Sequence, residues 1–144
     1  MFTDDQLQTV LSIIRGIVDG IINTSNSGMI GRAREMTAFT QYVAQAGSQF
    51  ANNDFIAQLI PHMTSSVFFA SGSPFQKPSD IFDAMGELGA GLPVDEAGVQ
   101  VRQFIIGLVE AVAGASGGGL FGRGDKLSDD ETTYLDILRA KLGM

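Results

Sequence analysis

Four acidic residues, Asp125, Asp129, Asp130 and Glu131, fall within one short stretch of this sequence. Carboxylates grouped in this way offer hard oxygens to a divalent cation, which binds best where several converge on one point. The spacing is not that of an EF-hand loop, because Leu127 and Asp130 stand at the wrong loop positions. The same acids at a helix start also have a plain structural account. They cap the first turn and sit at the positive end of the helix dipole. Both readings stand for these residues.

Other chemistry is sparse. There is no cysteine and His62 is the one histidine, which excludes disulfides, thiolate zinc sites, a cysteine nucleophile and a histidine cage. A Ser-His-Asp relay would need His62 in a pocket, and the residue reads as structural or solvated. The segment Gly119–Lys126 has the glycines of a phosphate loop, but its lysine is displaced by one, Leu127 replaces the metal-binding hydroxyl, and no strand precedes it. Asp19 and Glu110 would be paired carboxylates for acid/base work if they faced each other. The plainer account is that they were copied together, with Arg15 a surface partner of Asp19 four residues away. A protein that is not an enzyme is expected.

These side chains must be carried by helices. Thr3 and Gln6 form a capping box, after which Leu7, Val10, Leu11, Ile14, Ile17, Val18 and Ile21 recur at spacings of three and four. The same periodicity predicts helices from about Arg32 to Ala46, from Asn52 or Asn53 onward, from Ser79 to Leu88, from about Val94 to Ala113, and after the Ser128/Glu131 capping box. Pro61 predicts either a kink or a new helix running through Met63, Val67 and Phe68. The two prolines and glycine of 71–78 mark a connector between halves 1–70 and 79–144. The expected fold is a single all-α domain over 1–144, a bundle of six to seven helices.

The halves are related. A shift of 91 positions aligns 16–32 with 107–123 without a gap, and six of the seventeen pairs are identical: Gly16/Gly107, Val18/Val109, Ser25/Ser116, Gly28/Gly119, Gly31/Gly122 and Arg32/Arg123. The unit is helix, glycine-rich turn, helix, with about five more residues in the second turn. Two such units with one apolar face each would bury those faces against each other about a pseudo-two-fold axis.

The run Ala113-Gly114-Ala115-Ser116-Gly117-Gly118, then Lys126-Leu127-Ser128-Asp129-Asp130-Glu131, then Leu135, Ile137, Leu138 and Leu142-Gly143, resembles the repeat of the TerB-like tellurite-resistance family. The resemblance is strongest over 105–143, and 16–46 fits as its duplicate. It implies an internally duplicated, acidic, cytoplasmic bacterial protein associated with tellurite and stress resistance, with divalent metal held by a turn Asp and a helix-start Glu. The Glu positions correspond to Glu131 and Glu35. The turn Asp corresponds to Gly117 and Asn26, so that Asp125, six residues before Glu131, would stand in.

Charge narrows the partners. Nine Lys and Arg against sixteen Asp and Glu leave a net charge of -7, which disfavours nucleic acid and anionic membrane surfaces and suits a cation or a basic partner. With 44% hydrophobic and 17% charged residues the chain should fold rather than stay disordered. The acidic start and the charges interrupting 7–22 predict no secretory signal and no membrane insertion, hence a cytoplasmic protein. Met29, Met36, Met63 and Met85 read as core filler, while Val67-Phe68-Phe69 with Phe75 would offer an exposed patch for a protein partner or for self-association.

Overall fold

The computed structural model describes residues 3–24, 28–65, 68, 78–118 and 129–144; within the helices, the side chains of 20–24, 28–32, 78, 116–118, 129–131 and 134 lie outside that description. Over the described residues the fold is an all-α bundle of six helices: α1 (Asp4–Thr24), α2 (Gly28–Gln49), α3 (Asp54–Met63), α4 (Pro78–Gly91), α5 (Glu96–Gly118) and α6 (Asp129–Leu142).

The helix starts follow local chemistry. At α1 the capping box is formed in both directions, with Thr3 N–H donating to Gln6 Oε1 at 2.8 Å and Gln6 N–H to Thr3 Oγ1 at 3.1 Å. At α3, Asn53 Oδ1 accepts from Ile56 N–H at 3.0 Å, and at α5, Asp95 Oδ1 accepts from Gly98 N–H at 3.0 Å. The helix α4 opens on Pro78 itself, where a missing N–H costs nothing, rather than after a Ser79 cap. The expected Ser128 cap lies outside the described residues.

Several expected boundaries move. The Gly89-Ala90-Gly91 run does not interrupt α4 but forms its last turn, and α5 continues through Gly114 and Gly117 to Gly118. Pro61 sits inside the last turns of α3, which ends at Met63 with Thr64 as C-cap, so no helix continues to Phe68. The links between α1 and α2, 25–27, and between α5 and α6, 119–128, whose expected lengths differ by about five residues, lie outside the described residues.

The core forms around α1 and α5. Val10, Ile13, Ile14, Ile17 and Val18 are buried, and so are their counterparts 91 positions on, Val101, Phe104, Ile105, Leu108 and Val109. Each such side chain contributes roughly 1.5–3 kcal/mol on burial, far more than the tenths of a kcal/mol by which helix propensities differ. Burial of this stripe therefore decides how the two helices lie. Exchanging α1 with α5, α2 with α6 and α3 with α4 carries the α2·α5 contact into α6·α1, α2·α3 into α6·α4, and α1·α4 into α5·α3, and all of these are made. The packing is pseudo-symmetric in this sense, with α2 on α5 much the most extensive contact. By length and hydropathy Glu96–Ala115 would suffice to cross a membrane, and more than half of that stretch is buried inside the bundle.

One expectation is corrected outright. Phe68 is not part of an exposed patch: it is buried, stacked on Phe39 at 6.0 Å between ring centroids. Arg15 covers it, donating from Nε to the Phe68 carbonyl at 2.7 Å with its guanidinium 5.0 Å from the ring centroid. Arg15 is accordingly not a plain surface partner of Asp19. Val67, Phe69 and Phe75 lie outside the described residues.

Candidate functional site

Of the five candidate ligands, Glu35 is fully described. It lies in the second turn of α2 and is 0% exposed. Phe39 and Tyr42 follow at four and seven residues, on the same face of the helix. That face meets α5 in an antiparallel register: Tyr42 Oη donates to the Phe104 carbonyl at 2.9 Å, and further along α2's direction Asn53 Nδ2 donates to the Ala97 carbonyl at 3.2 Å and to Gln100 Oε1 at 3.0 Å. Carried back two turns, this register puts Glu35 at the level of the small-residue end of α5. A carboxylate taken fully out of water costs several kcal/mol unless a proton, hydrogen bonds or a cation compensates it.

The remaining acids are Asp129, Asp130 and Glu131, which form the first turn of α6, and Asp125, which precedes it. The side chains of the first three, and Asp125 altogether, lie outside the described residues. Among the described residues no three His, Asp or Glu side chains come together in a metal-binding group.

A groove of about 590 Å³ lies between α2, α5 and α6, lined by Tyr42, Gly107, Glu110, Leu135, Asp136 and Arg139 among others. Its shape depends on Gly107, because a Cβ there would fall on the Tyr42 hydroxyl and break the phenol's bond to Phe104. Burial and, second, the Glu110 carboxylate push the Tyr42 phenol up to about 12. Glu110 is ion-paired with Arg139 on α6, both half-exposed, and Asp19 does not line this groove. Asp19 is half-buried on α1, where burial raises its carboxyl above the usual range against the lowering pull of Arg15. His62 is exposed in the last turn of α3 and does not line this groove.

Among the described residues, the most heavily bonded side chain was not a candidate. Arg102 on α5 donates to four backbone carbonyls: Nη1 to Pro93 at 2.8 Å, Nη2 to Gly89 at 2.9 Å and Leu92 at 3.3 Å, and Nε to Leu142 at 3.0 Å. It gathers the C-terminal ends of α4 and α6, the negative poles of their dipoles. Pro93 has no N–H, so the Gly89 carbonyl loses its helical donor and Arg102 replaces it. A sequence signal exists: in the 91-residue shift Arg102 stands where Leu11 is buried. Gly107 gives a second signal, a poor helix former in mid-helix that marks a close approach.

Comparisons with protein-family models, with curated proteins and with solved structures return no match to this chain.

Proposed function

We propose that this chain is a non-catalytic, TerB-like binding module of bacterial tellurite or stress resistance, working in the cytoplasm, which takes a divalent cation with Glu35 and the acids at 125 and 129–131. The observation that carries the reading is the complete burial of Glu35. An apolar residue would fill that position at no electrostatic cost, so a carboxylate held there has a use that offsets its desolvation. The resemblance to the TerB-like repeat supplies the family context, and the net charge of -7 favours cations over anions throughout.

Calorimetric titration of the metal-stripped protein with calcium, magnesium, manganese and zinc tests it. At least one ion should release or absorb heat and raise the melting temperature, and Glu35→Gln, which keeps the shape and loses the charge, should abolish both effects. Absence of heat and of stabilisation with all four ions refutes the cation reading.

A second reading, a protein-protein interaction module or homodimer with no metal site, is favoured by a separate observation. Val94 is 92% exposed at the turn between α4 and α5, where an apolar side chain gains nothing from water.

A further inference from the structure

Among the described residues three large apolar side chains are exposed: Val94 at 92%, Val99 at 42% and Met144 at 53%. Two of them, five residues apart around the start of α5, share one groove. Val94 and Val99 line a groove of about 470 Å³ between α4 and α6, and Gly143, next to Met144, lines it too. The groove floor is low because α4 contributes Gly86, Gly89 and Ala90 to it. At Gly89 there is no room for more, since a Cβ would come within 2.6 Å of the Lys141 carbonyl. The C-terminal end of α6 is held rigidly beside it. Gly143, at φ +80°, lets Met144 N–H bond back to the Arg139 carbonyl at 2.9 Å and Gly143 N–H to Ala140 at 3.1 Å, a Schellman close.

Charge says what fits over this groove. On α4 the exposed residues Asp80, Asp83 and Glu87 form an acidic row at helical spacing. On α6, Lys141 is exposed, with its stem lying over Gly86. None of these four makes an ion pair among the described residues. Arg102, the other cation of the groove, is consumed by its four carbonyls. The face therefore has an apolar centre with free acids on one helix and a free ammonium on the other. About a two-fold axis running between the acidic row and Lys141, such a surface is complementary to itself, with Lys141 of each copy set against Asp83 and Glu87 of the other. The repulsion between two acidic bodies is screened beyond a Debye length of about 8 Å at physiological ionic strength, so these short-range pairs and the apolar centre decide.

We propose that the α4–α6 face, centred on Val94 and Val99, is the surface on which two copies of this chain associate as an isologous dimer. The proposal rests on the homodimer form of the second reading above and gives it a location.

Sedimentation equilibrium of the full chain over a range of concentrations tests both. The unmodified protein should show a monomer–dimer equilibrium, and Val94→Glu should weaken it at least about tenfold, equivalent to about 1.4 kcal/mol. Val94 is almost fully exposed, so this change does not unfold the monomer. A charge exchange gives the sharper result. Lys141→Glu in one preparation and Asp83→Lys with Glu87→Lys in another should each be monomeric, and mixing them should restore a dimer containing one of each. A strict monomer at every concentration overturns self-association and the proposal together, leaving a different partner for the face. A dimer that survives Val94→Glu and both charge reversals overturns the location alone.

Discussion

Arg102 shows how much one side chain can hold. Its guanidinium has five donors in a rigid plane, and four backbone carbonyls from two helix ends and a turn accept from it. Removing it strands those carbonyls in a partly buried place, with the Gly89 carbonyl already deprived of a donor by Pro93. Arg102→Met should therefore cost about 2–4 kcal/mol in urea unfolding, and Arg102→Lys should recover less than half of that, because one ammonium cannot span the set. A loss below about 0.5 kcal/mol for the Met variant would show that water replaces the guanidinium freely. Glu35 is the opposite case, a carboxylate taken fully out of water at a cost in desolvation, and for that reason it carries the cation reading.

At the scale of elements, the junction between α4 and α5 brings backbone against backbone at close range. Gly98 lies under the Pro93 carbonyl so closely that a Cβ would overlap it, while at Gly91, at the end of α4, a Cβ would meet nothing within 4 Å. The two glycines should respond differently to the same change. Gly98→Ala forces the Pro93 backbone to move, with an expected loss of about 2–4 kcal/mol, whereas Gly91→Ala should be neutral or stabilising by up to about 1 kcal/mol. Equal melting temperatures for the two variants would contradict this geometry. The strength of this junction also explains why α4 runs through its glycines. Once Arg102 and the packing against α6 hold its last turn, a weak helix former no longer ends it.

For the whole molecule, the contacts that matter most cross between the halves. The broadest partner of α2 is α5, and α1 packs on both α4 and α5. Neither half covers its own apolar stripe. Residues 1–70 and 79–144 expressed as separate chains should each lack a cooperative thermal transition by circular dichroism, and mixing them should restore one. Independent cooperative melting of either half would mean that the repeat unit is a self-sufficient domain rather than one side of a shared core.

The all-helical class, the six helices and the core stripe were legible in the sequence, because spacings of three and four in apolar residues survive any arrangement of the helices that buries them. The 91-residue repeat was legible for the same reason, and Val10, Ile13, Ile14, Ile17 and Val18 are buried like Val101, Phe104, Ile105, Leu108 and Val109. Helix ends were read less well: glycines and Pro61 signalled breaks that packing overrode. The role of Arg102, the close approach at Gly107, the burial of Glu35 and of Phe68, and the groove that Val94 and Val99 share with the end of α6 were decided by tertiary structure. Each depends on which residues distant in the chain come within a few ångströms, and periodicity along one helix contains no information about the register between two.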